Sequence, residues 1–556
     1  MLFYGAPMLR RQFLISSIAA SAATTTPEAI LFNGVIYAAP EGAHFRKVQA
    51  VAIAGGRILA AGENREIQAL ATAATRRFDL GGKAVVPGFI DSHSHVASSG
   101  LRHLREVDCD LRSIPLIVQS IRERSLKTRK GDWIIGFKYD DTKTAEQRKL
   151  NRADLDAAAP GNPVLIVHRG GHTAFANSAA LQQMDINEKT PDPPGGAMVR
   201  DAQGRLTGEL LETAVRRPAS MNRAATASER REGVALITKM MAKSGITSVT
   251  DAAGGGSGRA DELSPYQDAH DNGELCCRVY CHFNYRYVDP LIAVGVRTGF
   301  GNEWIRVGAM KLIADGSISE RTARLSEPYE GRPNDYGIIV MPESELYEHA
   351  RKAHLAGWQI GTHANGEVGI EMALNVYERL QREHQARDPR FRLEHCTVVN
   401  DTLLRRIKAL NAVPTPFWSY VYYHGEKMSQ YGTERLNRMF AMRSFLDHGI
   451  RVAPGSDYVP GPFEPMMALQ SCVTRTDIKG VTWGPKQKIT VAEAMRAVTM
   501  NGPYATYEEK LKGTLEPGKL ADLVVLGRDP FTAEPSTLAS IPVERTMTGG
   551  RWVYES

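Results

Sequence analysis

The chain has 556 residues, of which 43% are hydrophobic and 23% charged, and a formal net charge of +6. That length exceeds one ordinary compact domain, and the composition is that of a globular protein with no low-complexity tract. Basic and acidic residues are mixed along the chain, so no basic stripe with interleaved aromatics marks a nucleic-acid surface, and no apolar run is long enough to span a bilayer.

The first segment, "MLRRQFLISSIAASAATTTPEA", sets Arg10 and Arg11 before a mildly apolar run that ends in the small residues Ala20-Ser21-Ala22. This is the layout of an export signal, and it is similar to a twin-arginine signal. Residues 1–27 are therefore read as a leader for the twin-arginine export machinery, and the protein as exported to the periplasm. A basic, frayed N-terminus on a cytoplasmic protein is the alternative, and Met8 is a second candidate start. The six cysteines, Cys109, Cys276, Cys277, Cys281, Cys396 and Cys472, show no C-x-x-C spacing and are read as buried free thiols.

After the leader, "EAILFNGVIYA" and "VQAVAIAGGRILAAGE" alternate apolar and polar residues around Asn-Gly and Gly-Gly turns, the pattern of hairpin strands. At the other end, "GTLEPGKLADLVVLGRDP" and "VERTMTGGRWVYES" read the same way. Residues 28–84 and 505–556 are thus expected to form one small composite β-sandwich domain.

The middle, 85–504, repeats a short Val/Ile/Ala-rich run followed by a helical pattern. The runs are "VVPGFIDSHSH", "PVLIVHRGGH", "GITSVTDA", "CRVYCHF", "VGAMKLIADGS", "WQIGTHANGE", "RLEHCTVV", "AVPTPF" and "RVAPGSD". Strands alternating with helices in this number predict an α/β fold, a (β/α)₈ TIM barrel. Nine runs exceed eight strands. The long gap that holds "PVLIVHRGGH" marks that run as the outlier, and about 105–235 is read as an inserted subdomain.

Residues i and i+2 of a strand share a face, so His93 and His95 can reach one metal from the C-terminal end of the first barrel strand. Alone, the pair is more readily incidental. His363, His395 and Asp457 stand at or near the ends of later strands, and His and Asp are expected ligands for zinc. Lys311 lies within an apolar strand. It either reaches the rim or pairs with Asp315, or, made neutral by burial, it reacts with carbon dioxide to give a bridging carbamate. The other histidines outside His172, among them His103, His168 and His282, are read as structural.

The series "DSHSH", "MKLIADGS", "GTHANGE", "LEHC", "GSDYVP" and "EPGKLADLVVL" closely resembles the amidohydrolase superfamily, and most of all its amidohydrolase-3 branch, which includes N-substituted formamide deformylase. "GGHTAFANSAAL" and "KLIADGSISERTARLSEPY" are similar to that branch in particular. The resemblance implies a distorted barrel and two divalent metal ions, zinc by default. His93, His95 and Asp457 would hold the first, His363 and His395 the second, and a carboxylated Lys311 would bridge them. Asp457 would also carry protons, while His172 would polarise or bind a substrate carbonyl and Arg321 would shape the pocket. Glu367 stands where the family usually has aspartate. The implied activity is hydrolysis of a non-peptide C–N bond in a small-molecule amide by a metal-activated water, with N-substituted formamides as leading substrates. A single-metal deaminase or a cyclic amide hydrolase is the rival, and a non-catalytic binding protein on this fold is a more distant one. The oligomeric state is left open.

Overall fold

The structure is a computed structural model that describes residues 26–41, 44–169, 173–194, 196–215, 224–254 and 263–556. The leader read at 1–27 falls almost wholly outside the described residues.

Seven strands open the fold: β1 (Ala29–Phe32), β2 (Val35–Glu41), β3 (His44–Val48), β4 (Ala50–Ala54), β5 (Arg57–Gly62), β6 (Arg76–Asp79) and β7 (Ala84–Pro87). β8 (Phe89–Ser94) enters the barrel. A second sheet follows with β9 (Val107–Asp108), β10 (Ile134–Tyr139), β11 (Val164–His168), β12 (Thr173–Ala176), β13 (Gly196–Arg200) and β14 (Leu206–Glu212). The barrel resumes with β15 (Ile246–Gly254), β16 (Arg278–Asn284), β17 (Ile305–Ile313), β18 (Ile360–Ala364), β19 (Arg392–His395) and β20 (Val413–Thr415). The chain closes with β21 (Leu523–Leu526), β22 (Val543–Thr548) and β23 (Arg551–Glu555).

The two chain ends meet. β21 pairs antiparallel with β7, setting Val524 opposite Val86, in a six-stranded sheet of order β23-β22-β21-β7-β2-β3. A four-stranded sheet, β5-β4-β1-β6, packs on it through Ala29, Leu31, Val51, Ile53, Val85, Leu523 and Val525. Inward residues alternate along each strand, as a sandwich requires. Arg278 at the start of β16 donates to both carboxylate oxygens of Asp522, a buried ion pair that ties this domain to the barrel floor.

Only Gly88 separates β7 from β8. A Cβ on it would lie 2.0 Å from Oγ1 of Thr247, so no other residue fits between the sandwich and the barrel wall. The barrel strands run parallel in the order β20-β19-β18-β17-β16-β15-β8. β8 and β19 are buried along their whole length, as strands covered on both faces are.

Among the described residues seven regular strands therefore stand where eight are expected, and the run "RVAPGSD" supplies the closure without becoming a regular strand. Ala453 and Gly455 donate to the carbonyls of Pro414 and Pro416 on one side. On the other, Ser92 donates to the carbonyl of Pro454 and Asp457 to that of His93. Pro414, Pro416 and Pro454 have no N–H to give, so the ladder is interrupted at the seam.

The insertion sheet, ordered β13-β14-β12-β11-β10-β9, holds the "PVLIVH" run as β11. The chain returns to the barrel through the helix Ala227–Lys243, which packs on Val96–Arg105 where Gly100 and Gly233 let the backbones touch. All six cysteines are free thiols, five of them buried. Among the described residues no helix is long and apolar enough to cross a membrane.

Candidate metal centre

His93 and His95 leave β8 on its inner face, and His95 sits at the N-cap of Val96–Arg105. His363 comes from β18, His395 ends β19, Lys311 lies in β17, and Asp457 stands at the seam. These residues converge. Ligand atoms of His93, His395 and Asp457 lie within 4.8 Å of one another. Oδ1 of Asp457 is 2.9 Å from Nε2 of His95 and 3.6 Å from Nε2 of His93. The His363 and His395 rings stand edge to face with centroids 4.5 Å apart.

The backbone is bent to achieve this. His395, Cys396 and Asp457 have left-handed φ values of 73°, 44° and 52°. Each such non-glycine residue costs about 1–3 kcal/mol and persists where the surroundings impose it. At the seam that constraint is visible, because Asp91 accepts hydrogen bonds from the backbone N–H and the hydroxyl of Ser456, at 2.9 and 2.6 Å.

The ring nitrogens are oriented by partners farther out. Nδ1 of His93 donates to Oε2 of Glu394 at 2.6 Å, which turns its Nε2 lone pair toward Asp457. Glu394 is itself held by Arg392 and by the hydroxyl of Thr415. Burial alone would raise the Glu394 carboxyl, but the Arg392 guanidinium beside it holds it well below the usual carboxylate range. Nε2 of His363 donates to the carbonyl of Gly316 at 3.0 Å, leaving Nδ1 as its free lone pair. Burial, followed by the nearby Lys311 charge, lowers His93 and His363 to about 4, so both imidazoles are neutral at pH 7 and free to act as ligands. Burial opposes ionisation of Asp457, yet the hydrogen bond from His95 and the surrounding imidazoles keep it an anion.

Lys311 is buried, and its pKa falls to about 8 through desolvation. Among the described residues its only hydrogen-bond partner is Nε2 of His93, at 3.3 Å. Asp315 does not pair with it, since that carboxylate accepts the backbone N–H groups of Arg324, Asn365 and Gly366.

Access is from one side. The side chains of His95, Asp457 and His363 are 32%, 17% and 19% exposed, whereas His93 is 1% exposed. Phe417 stacks on the His395 ring at 4.5 Å and forms an aromatic wall with Tyr420 and Phe440 behind it. The insertion braces the same rim: Lys138 binds Asp108 and the Tyr458 hydroxyl, and Arg169 binds Asp110 and the Tyr423 hydroxyl.

His172 lies outside the described residues. Arg321 is half-buried with a left-handed φ of 55°, and among the described residues no hydrogen bond or ion pair joins it to the centre. The carboxylate Glu367 is engaged by Arg438. Glu394 and Arg392 escaped the sequence reading, although "RLEH" places two opposite charges on one face of a buried strand, a signal that was there to use. A second group, Asp140, Asp141 and His168, also meets metal-ligand distances, but Oδ1 of Asp140 already accepts two hydrogen bonds from Thr142.

Comparison with known proteins gives a consistent picture. The profile described as "Amidohydrolase family" matches residues 76–554. The N-substituted formamide deformylase of Arthrobacter pascens is 30% identical over 524 residues, covering 91% of this chain and 95% of that protein. Protein LONG AFTER FAR-RED 3 of Arabidopsis thaliana is 28% identical, covering 94% and 91%. The crystal structure of an uncharacterized metal-dependent hydrolase from Pyrococcus horikoshii superposes with a TM-score of 0.71 at 25% identity, covering 91% of this chain and 99% of the other.

Proposed function

Because the chain belongs to the amidohydrolase family, we propose that it hydrolyses a non-peptide carbon–nitrogen bond, that of a small-molecule amide, at a two-metal centre. The observation that carries this reading is Lys311, a buried amine beside His93, His363 and His395 with, among the described residues, no carboxylate hydrogen-bonded to it. A buried ammonium is costly, and desolvation outweighs the attraction of Glu394 and Asp457 in lowering this amine to about 8. The neutral amine instead adds to carbon dioxide: its nitrogen forms a bond to the carbon, a proton leaves, and the carbamate anion offers two oxygens.

The donor set fits two divalent cations, zinc by default. His93, His95 and Asp457 would hold one, His363 and His395 the other, and carboxylated Lys311 would bridge them. When bound, the pair supplies Lewis acidity that lowers the pKa of a water and polarises the substrate carbonyl. Asp457, ionised and partly exposed at the mouth, takes the proton from the attacking water at its carboxylate. The same carboxyl then gives that proton to the leaving nitrogen, without which an amide does not depart readily. Glu394 keeps His93 in the tautomer that presents Nε2.

N-substituted formamides are the leading substrate class, on the likeness to the Arthrobacter enzyme. The rival deaminase reading would use an acid following the third histidine, and Glu367 is committed to Arg438 instead. The deciding experiment measures bound metal and then formate release from N-substituted formamides by the metal-loaded protein. The expected result is about two zinc ions per chain and stoichiometric formate. About one metal per chain with ammonia released from aromatic amines would replace this reading with the deaminase.

We also propose that residues 1–27 direct export by the twin-arginine machinery to the periplasm. Cell fractionation checks this, with a product shortened after Ala22 in the periplasm as the expected result. Full-length protein confined to the cytoplasm would refute it.

A further inference from the structure

Below the candidate ligands, the barrel interior holds a histidine that the chemistry above does not use. His282 lies on β16 and is fully buried. Among the described residues neither of its ring nitrogens has a hydrogen-bond partner. Nδ1 of His282 stands 3.9 Å from Oε1 of Glu394, too far for a direct bond. Two glycines leave the room these groups occupy: a Cβ on Gly308 would lie 2.8 Å from Cδ2 of His282, and one on Gly361 would lie 2.8 Å from Oε1 of Glu394.

Unpaired buried polar groups cost about 1–3 kcal/mol each, so an imidazole nitrogen this close to a buried carboxylate calls for a partner between them. The chemistry of that partner is fixed by what the groups offer. Oε1 of Glu394 has a lone pair beyond the one taken by Arg392 Nε, and a neutral imidazole gives one N–H. One water matches both at such a spacing. It accepts from Nδ1–H of His282 and donates to Oε1 of Glu394.

We propose that His282 is a positioning residue for the metal centre: through one internal water it locks the Arg392–Glu394 pair, and Glu394 in turn fixes His93. Only the last link, from His93 to a metal, rests on the function proposed above.

The test compares His282→Leu with His282→Asn, whose amide N–H can take the place of Nδ1–H. In metal-free protein the His93 Nδ1 proton, assigned by its loss in His93→Gln, is followed by ¹H NMR. Its downfield resonance is expected to shift or broaden in His282→Leu and to return in His282→Asn. Zinc affinity, from competition with a chelator, is expected to fall about 10- to 100-fold in His282→Leu and to recover in His282→Asn. An unchanged resonance and affinity in His282→Leu would overturn the proposal, as would an Asn variant that fails as the Leu variant does. Should the Leu variant not fold, a high-resolution crystal structure of the wild-type protein decides: a water within hydrogen-bonding distance of both His282 Nδ1 and Glu394 Oε1 supports the proposal, and its absence there refutes it. A wild-type protein that binds no zinc would remove the proposed function while leaving the resonance and the water as tests of His282.

Discussion

Asp457→Asn is expected to lower kcat by about three to four orders of magnitude while leaving the fold intact. Asparagine is the informative substitution because Asp457 has a φ of 52°. Alanine there would add a backbone penalty of roughly 1–2 kcal/mol, whereas asparagine tolerates the left-handed region. The amide keeps the shape of the carboxylate and can still meet His95. It loses the negative charge and the ability to accept and return a proton. Since the backbone N–H of Asp457 bonds the His93 carbonyl, the seam itself does not depend on the side chain. Circular dichroism and the thermal midpoint should therefore stay near wild type. Steady-state turnover of the metal-loaded variant is the measurement, and near-normal rates would remove Asp457 from proton transfer.

The candidate ligands and their supports differ in how far the sequence exposes them. His93 and His95 are legible because strand periodicity puts i and i+2 on one face, and their meaning grows when His363, His395 and Asp457 follow in order on later runs. Glu394 is harder to find, since its partner His93 is 301 residues away and no local pattern links them. His282 is harder again, because nothing in "CRVYCHF" tells that its ring faces an ion pair rather than packed methyl groups. The same holds for closure of the barrel. "RVAPGSD" reads as a strand by composition, but whether prolines interrupt the ladder depends on which N–H each neighbour needs. The sandwich was easier, as both ends alternate apolar and polar residues around glycine turns.

Lys311→Ala is expected to remove about one of two bound metals and to lower turnover by about 10²-fold or more, with both restored in part by a short-chain carboxylic acid. The argument starts from the buried amine 3.3 Å from Nε2 of His93. As an ammonium, Lys311 would repel any cation that His93 binds, by several kcal/mol at that separation even at an effective dielectric near 20. Removing an ammonium should then tighten metal binding. Removing a carbamate should loosen it, because two anionic oxygens between the cations are lost. The sign of the change in metal content thus separates the two states without reference to any substrate. Alanine leaves a cavity where the side chain ran, and a small carboxylate entering it presents two oxygens of the same charge and similar spacing, whereas an amine of the same size presents none. Metal content and turnover of Lys311→Ala, measured with and without added acetate or propionate, are the checks. Two metals retained in the variant, or no response to carboxylate, would leave Lys311 as a structural amine, whereas one metal in both wild type and variant would return the centre to a single-metal reading.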